Sequence, residues 1–314
     1  MVLIREGSVG VAKQSKHAFW VGVAILACSM WGISGLLAKA LFNQQISAIW
    51  LTQVRMVVAG AILLVIGHFK GEQMTVIWRD RKAAGRLVLY SILGLIPVQF
   101  CYFMAVKEGN AAIATVLQFT CLFFVMVYDT VIRRVPLRLL DIICALIAFT
   151  GVATIATEGH FTHMTITVSV LLWGLASALG AAVNMTTPGP LTRRYSSWQV
   201  TGWGLLVAGI VMVIAHPVWE PVHLTPVTIL LVVGVIIIGT LLPFQMLNLA
   251  LRHITATTAN MMDAFEPLAA TIGSVLFLGL SMTSADYIGT FLVIGAVLGL
   301  NYRPAVKKKV RKME

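Results

Sequence analysis

The chain has 314 residues, of which 59% are apolar and only 11% are charged, whereas an ordinary soluble domain has roughly 25% charged residues. This composition excludes a water-soluble globule and indicates that the lipid bilayer is the main solvent of the chain. The formal net charge of +11 would suit a nucleic-acid partner, but basic residues in a membrane protein first mark cytoplasmic loops, so no nucleic-acid binding is predicted.

Ten apolar stretches are long enough to cross a hydrocarbon layer of ~30 Å, which takes ~20 helical residues. We place them at 18–41, 47–69, 87–106, 111–131, 139–157, 166–187, 198–215, 226–250, 255–279 and 284–302. The longest gap between them has 17 residues, so no separate soluble domain fits. The predicted fold is therefore an all-α polytopic membrane protein with ten transmembrane helices.

The basic residues predict the orientation of these spans. With the N-terminus inside, 20 of the 23 Lys and Arg residues lie in inner loops and tails, and the outer loops hold only Lys107. This bias predicts that both termini are cytoplasmic, with residues 1–17 as one tail and the basic residues 303–314 as the other, against anionic lipid headgroups. We expect the plasma membrane as the location.

An internal repeat relates the two halves of the chain, at 18–157 and 166–302. Trp31-Gly32 in span one has its counterpart in Trp173-Gly174 in span six, and Ala59-Gly60 in span two in Ala208-Gly209 in span seven. The pentapeptide at 95–99 in span three, Leu-Ile-Pro-Val-Gln, corresponds to Leu-Leu-Pro-Phe-Gln at 241–245 in span eight. Because each unit has five spans, the second enters the membrane from the opposite face, which is the inverted-repeat plan of secondary transporters.

The chain resembles the ten-helix members of the EamA-type family, which belongs to the drug/metabolite transporter (DMT) superfamily. The resemblance covers residues 18–302 and is carried by Trp31-Gly32, Arg55, Ala105-Val106-Lys107, the Leu-Gln-Phe-Thr run at 117–120, and Glu266-Pro267. Two positions depart from the family pattern, since Leu122 stands where span four usually has a proline and Leu280 follows Leu278-Gly279 where a glutamate is common. The resemblance implies a carrier of amino acids, organic acids, amines or drug-like metabolites, more often an exporter than an importer.

Span nine carries acidic residues that hydrocarbon disfavours, because a charge at the centre of a span costs ~2.5 to 3.5 kcal/mol on insertion scales. Asn260, Asp263 and Glu266 recur every third residue and so share one side of the helix, and Pro267 leaves a backbone carbonyl unpaired beside them. Two neighbouring carboxyl groups repel each other when both are charged, which makes one of them a candidate carrier of a coupling proton.

The repeat supplies partners for the acidic side chains, because Thr115, Gln118 and Cys121 of span four precede Asn260, Asp263 and Glu266 by 145 residues each. We expect the two tracks to line one midplane cavity that binds a small-molecule substrate. Its predicted lining is Trp31, Gln99, Tyr102, Thr115, Gln118, Trp173, Gln245, Asn260, Asp263 and Glu266. The alternative for the amide side chains is that they join helices to one another.

Two basic residues lie inside spans. Arg55 either anchors a carboxylate or phosphate on the cargo or binds a backbone carbonyl, and the second interpretation is preferred. Lys39 is close enough to the outer surface to reach it, which favours a structural role.

The sequence has few signals for a cofactor or for assembly with a second subunit. The four cysteines show no CxxC spacing, so neither a metal site nor a cofactor is predicted. Gly295 and Gly299 form a small face on the last span that packs against another helix or against a second subunit, which leaves a homodimer open.

Two other function classes compete with a transporter. The run Gly32-Ile33-Ser34-Gly35 is similar to the nucleophile motif of rhomboid proteases, but no histidine lies in an outer half-span to act as its base. A channel is the other alternative, although the sequence has no repeated filter motif or charged ring. We predict a secondary transporter that works by alternating access, and not an enzyme.

Overall fold

The computed structural model describes residues 3–132, 134, 136, 139–158, 166–217, 225–254, 258–259 and 262–301. Ten helices run through this part of the chain, with two single helical turns at Val76–Arg79 and Gly189–Thr192 between them. The ten are α1 (Leu3–Asn43), α2 (Ala48–Phe69), α3 (Arg81–Glu108), α4 (Ala111–Val131), α5 (Leu139–Thr157), α6 (Val168–Thr186), α7 (Ser197–Ala215), α8 (226–250), α9 (Phe265–Leu278) and α10 (Ser284–Asn301).

The helices match the predicted spans in number and order. Within the described residues, seven of them are long and apolar enough to cross a membrane, and α5, α9 and α10 contribute three shorter apolar helices. Much of the large apolar surface of the bundle is exposed, as expected for a protein whose solvent is lipid. The predicted all-α polytopic fold is confirmed.

The contacts between helices occur in matching pairs, as a twofold relation between two five-helix units requires. The helices α2 and α7, which are counterparts, pack on each other, and so do the counterparts α5 and α10. The contact of α1 with α8 is matched by that of α6 with α3, and the contact of α1 with α9 by that of α6 with α4. Each half therefore places its first helix against the third and fourth helices of the other half.

Glycines allow the two central counterparts, α2 and α7, to approach closely. A Cβ atom on Gly60 would lie 2.6 Å from the backbone nitrogen of Leu206, and one on Gly209 would lie 2.7 Å from a methyl group of Val57. Only a residue without a side chain fits at these distances. The two Ala-Gly pairs noted in the sequence are thus packing positions of one interface.

The peripheral pair, α5 and α10, uses glycines in the same way. A Cβ on Gly151 would lie 2.8 Å from the carbonyl oxygen of Gly289, and one on Gly289 would lie 2.6 Å from the carbonyl oxygen of Gly151. Further along α10, Gly299 faces the thiol of Cys144 on α5, whereas Gly295 has no described atom within 4 Å of its Cβ position. The small face of the last span is therefore used within the chain at Gly299.

The third helix of each half, α3 or α8, has a wide turn before its internal proline. In α3 a π-helical segment occupies Tyr90–Leu95, and in α8 the corresponding segment occupies Ile237–Leu241. Each segment ends two residues before a proline, Pro97 or Pro243. Proline has no N–H to donate and its ring crowds the preceding turn, so the wide turn relieves the strain at the same place in both halves.

The fourth helix of each half is interrupted near its middle. In α4 the break is at Thr120, whose backbone N–H and hydroxyl both donate to the carbonyl of Leu117, over 3.1 and 2.6 Å. The turn at Asp263 and Ala264, just before α9, is the corresponding break. Pro267 cannot donate to the carbonyl of Asp263, and the N–H of Glu266 binds that carbonyl instead, over 3.0 Å. The two halves reach one geometry by different means, a threonine hydroxyl in α4 and a proline after the turn at α9.

Candidate functional site

One turn of α1, Gly32 to Gly35, touches three other helices near the middle of the bundle. Gly32 lies against the carbonyl of Glu266, Ser34 lies against Gly239 in the π-helical segment of α8, and Gly35 lies against the hydroxyl of Tyr102 on α3. At 1.5 Å of rise per residue this turn spans only about 4.5 Å along the helix axis. Glu266, Gly239 and Tyr102 are therefore at nearly the same depth.

This packing gives the motif at 32–35 a structural explanation. Ser34 is 2% exposed, and its hydroxyl has no hydrogen-bond partner among the described residues. Its two flanking glycines sit where any side chain would collide with α9 or with Tyr102. The similarity to a protease nucleophile motif thus falls on a helix-packing surface.

The two acidic residues at the start of α9 are both half-buried and face different partners. The thiol of Cys28 on α1 donates a hydrogen bond to Oδ1 of Asp263 over 3.1 Å. Glu266 interacts electrostatically with Asp263, Arg55 and Tyr102. No hydrogen bond or close ion pair joins the Glu266 carboxylate to any of the described residues.

The counterpart of Glu266 in the first half, Cys121 on α4, is buried and lies within the electrostatic field of both acids. The broken helices of the two halves therefore meet at this level of the bundle. Asn260, which the sequence placed on the same track, lies outside the described residues.

Arg55 is buried and bridges α2 to the π-helical segment of α8. Its Nε donates to Oγ1 of Thr240 over 2.6 Å, its Nη2 donates to the carbonyl of Gly239 over 2.5 Å, and its guanidinium lies 5.0 Å from the ring centre of Phe103. The wide turn of the π segment presents that carbonyl to a side chain. The preferred interpretation of Arg55 as a partner of a backbone carbonyl is confirmed.

Lys39 also serves the backbone. Its Nζ donates to the carbonyls of Lys107 and Gly109, over 3.0 and 2.6 Å, and so caps the end of α3. This is the structural role that its position near the end of the span predicted.

Gln118 joins three helices. Its Nε2 donates to the carbonyl of Val98 on α3 over 2.9 Å and to Oγ of Ser177 on α6 over 2.6 Å. Ser177 also donates to the carbonyl of Val98, over 3.3 Å. The amide nitrogen is therefore occupied in helix contacts, whereas Oε1 has no hydrogen bond to a described residue.

Tyr102 and Thr115 form a second polar link between α3 and α4. Their hydroxyls lie 3.0 Å apart, and Thr115 also contacts the carbonyl of Ala111 over 2.7 Å. If Thr115 donates to that carbonyl, Tyr102 donates to Thr115. Both residues are buried beside α1.

The two tryptophans of the repeat occupy equivalent places. Trp31 packs edge-on against Phe244 with ring centres 5.3 Å apart, and Trp173 packs edge-on against Phe100 at 5.7 Å. The indole N–H of Trp173 donates to Glu108 over 3.2 Å. Each tryptophan thus meets an aromatic residue that follows the proline of the other half.

Two glutamines of the predicted lining have orphaned atoms. Oε1 of Gln99 and Nε2 of Gln245 are buried and have no hydrogen-bond partner among the described residues. A buried polar atom without a partner is costly, and each of these atoms can still accept or donate a hydrogen bond.

Within the described residues, the predicted lining forms small hydrogen-bonded groups. The pairs are Tyr102 with Thr115, Gln118 with Ser177, Asp263 with Cys28, and Trp173 with Glu108. Sequence reasoning missed Cys28 and Ser177 as partners. Each lies within one helical turn of a tryptophan of the repeat, and that spacing was the available signal.

The comparisons with known proteins agree with this architecture. The model of the EamA-like transporter family matches the chain twice, over residues 18–157 and 168–302. A relative from Salmonella typhimurium strain LT2, "Uncharacterized inner membrane transporter YicL", is 30% identical over 277 residues, covering 87% of this chain and 92% of its own.

Two further relatives bear the name "Threonine/homoserine exporter RhtA". The protein from Salmonella typhimurium strain SL1344 is 27% identical and covers 90% of this chain and 92% of its own. The protein from Escherichia coli strain K12 is 24% identical and covers 95% of this chain and 97% of its own.

A solved structure titled "Crystal structure of protein" has the same fold. It superimposes with a TM-score of 0.61 at 19% identity and covers 91% of this chain and 97% of its own. With two matches of the family model, one on each five-helix half, the chain is a membrane transporter that belongs to the EamA-like transporter family.

Proposed function

We propose that this protein exports a small zwitterionic or cationic metabolite, with amino acids and amines first among the candidates, across the plasma membrane. The observation that carries the proposal is the carboxylate of Glu266, which lies where the two halves meet, close to Asp263, and is bonded to none of the described side chains. A carboxylate placed in a bilayer span without a fixed partner is costly unless it binds something during the working cycle.

The relatives support the class of cargo. Two of them are named as exporters of threonine and homoserine, which are amino acids. The acids of the present chain would attract the ammonium group of such a molecule, and the edge-on aromatic pairs of Trp31 and Trp173 would supply apolar walls. The remaining lining in this proposal is Gln99, Tyr102, Thr115, Gln118, Gln245 and Asn260.

The mechanism we propose is alternating access. Two units of opposite orientation can form one gate on each side of a central site, because the same helix contacts occur in reciprocal form in both halves. The paired π segments and the paired breaks in the fourth helices are the places where the helices can change direction at least cost.

Export of a cation or zwitterion by this route needs a source of energy. We propose that a proton bound by Asp263 or Glu266 provides it, entering as the cargo leaves, because a carboxylate cannot hold an ammonium group and a proton at once. Binding of one then favours release of the other.

The cytoplasmic location of both termini and the boundaries of the two units, at 18–157 and 166–302, are further parts of the proposal. An enzymatic role is disfavoured by the packing function of Ser34 and by the transporter relatives. A channel is disfavoured by the broken helices with acids at their turns, which suit a carrier that binds its cargo.

The test is transport in proteoliposomes made with the purified protein. We expect uptake of labelled threonine, homoserine or a corresponding amine to saturate with concentration and to show counterflow. A pH gradient with the acidic side opposite the cargo should accelerate net flux. Flux that rises linearly and shows no counterflow would indicate a channel, and saturable flux that ignores the gradient would remove the coupling proton.

A further inference from the structure

Arg55 has donor capacity beyond the helix contact described above. Its guanidinium uses Nε for Thr240 and Nη2 for Gly239, and Nη1 has no acceptor among the described residues. A buried guanidinium with a nitrogen that no described acceptor occupies is a ready donor for an anion.

The turn Gly32–Gly35 of α1 relates Arg55 to Glu266 in depth. Gly32 contacts the backbone carbonyl of Glu266, and Ser34 contacts Gly239, the residue whose carbonyl Arg55 holds. Both contacts lie within about one helical turn, so the guanidinium and the carboxylate are at similar depth. Tyr102, at Gly35, lies in the field of both groups.

The guanidinium of Arg55 and the carboxylate of Glu266 do not form a close ion pair. Arg55 and Glu266 interact electrostatically, yet no ion pair within 4.0 Å joins these two described residues. In a low-dielectric interior, a charged group that is not held in an ion pair interacts strongly with a ligand of opposite charge. The hydroxyl of Ser34, buried and without a described partner, lies against Gly239, whose carbonyl Arg55 binds.

We propose that Nη1 of Arg55 donates a hydrogen bond to the carboxylate of the cargo, while the carboxylate of Glu266 binds the ammonium group of the cargo. The inference rests on the proposed function and narrows its substrate class to molecules that carry an ammonium and a carboxylate group on the same carbon, as α-amino acids do. Simple amines and organic acids then satisfy only one end of the site. Arg55 is on this account a specificity-determining residue as well as the link between α2 and α8.

The two roles of Arg55 can be separated by mutation. Thr240→Val removes the acceptor of Nε and leaves Nη1 in place, whereas Arg55→Gln removes both the link and Nη1. A purely structural role predicts that both variants change all ligands alike. A role in carboxylate recognition predicts that only Arg55→Gln changes the preference among ligands.

The experiment measures the affinities of L-threonine, L-threonine methyl ester and the amine left when threonine loses its carboxylate, with the purified full-length protein in detergent. The wild type should bind threonine about tenfold or more tightly than either analogue, the size of one charge-assisted hydrogen bond. Arg55→Gln should abolish this preference while retaining amine binding, and Thr240→Val should keep it. Glu266→Gln should weaken threonine and the amine alike.

The outcomes separate the inference from the proposed function. Equal affinity of the wild type for all three ligands, or the same loss of preference in both variants, would overturn the role of Arg55 and leave a carrier of amines or amino acids. Binding of none of the three, or binding that Glu266→Gln does not change, would overturn both. If Arg55→Gln fails to fold, the preference of the wild type for threonine over its methyl ester still decides whether a carboxylate is read.

Discussion

The thiol of Cys28 and the carboxylate of Asp263 are joined by a hydrogen bond of 3.1 Å that links α1 to the turn before α9. This bond fixes one of the two acids and leaves Glu266 as the carboxylate without a described hydrogen bond. Because α1 and α9 belong to different halves, any movement of one half against the other acts on this contact. The pair therefore makes α1 a candidate sensor of the state of the site.

We expect Cys28→Ala to weaken cargo binding about threefold to tenfold, the value of an ordinary hydrogen bond, because a thiol is a weak donor, and Cys28→Ser to retain most of the affinity. The measurement is the concentration dependence of transport. Cys101→Ala, at another buried thiol in the bundle, on α3, is the control for lost volume. Equal effects of Cys28→Ala and Cys101→Ala would show that the bond to Asp263 has no role in binding.

Gly32 provides a test of the packing of α1 on α9. A methyl group there would collide with the carbonyl of Glu266 and lie 2.9 Å from the nitrogen of Ala270. We expect Gly32→Ala to lower stability by roughly 1 to 3 kcal/mol, as overpacking does, and to reduce transport. Gly22→Ala on the same helix has no described atom within 4 Å and should leave thermal unfolding unchanged or slightly raised. A Gly32→Ala protein as stable as Gly22→Ala would contradict the described interface.

Gln118 is both a helix link and a proposed part of the lining, and the two roles predict different defects. Ser177→Ala removes one of the two acceptors of its amide nitrogen and should lower the melting temperature with little effect on affinity. Gln118→Ala should lower both, because Oε1 is lost as well. The check is thermal unfolding alongside transport at matched protein amounts. Affinity that is the same in the two variants would restrict Gln118 to a structural role.

The orientation inferred from the basic residues can be tested by labelling. In a background without the native cysteines, Asn43→Cys and Lys82→Cys place exposed thiols at opposite ends of the bundle. We expect an impermeant maleimide to label Asn43→Cys in intact cells and Lys82→Cys only after the membrane is opened. The reverse pattern would place both termini outside and invert the proposed direction of the gates.

The sequence predicted the number, order and approximate limits of the helices, because a run of ~20 apolar residues has one stable form in lipid. It also predicted that corresponding helices of the two halves would be related. The paired prolines, Pro97 and Pro243, gave the clearest signal of the repeat, and the π segments before them follow from the missing N–H of proline.

The details of the site could not be predicted in the same way. The break in α4 occurs although Leu122 stands where the family usually has a proline. It forms because the hydroxyl and the backbone N–H of Thr120 both donate to the carbonyl of Leu117. A threonine in a helix more often donates to a carbonyl four residues back, as Thr115 does to Ala111. The contacts of Cys28 and Arg55 depend on which helices are neighbours, and that is a property of the whole fold.

Glu266 is the carboxylate that we propose binds the cargo, and its replacement by glutamine is the most direct test of this proposal. The measurement is saturable transport of threonine or its amine by Glu266→Gln in proteoliposomes, beside the wild type and Glu158→Gln, which changes an exposed carboxylate at the end of α5. We predict that Glu266→Gln inserts and folds normally but loses transport, whereas Glu158→Gln keeps it. Transport by Glu266→Gln at the wild-type rate and affinity would contradict the account.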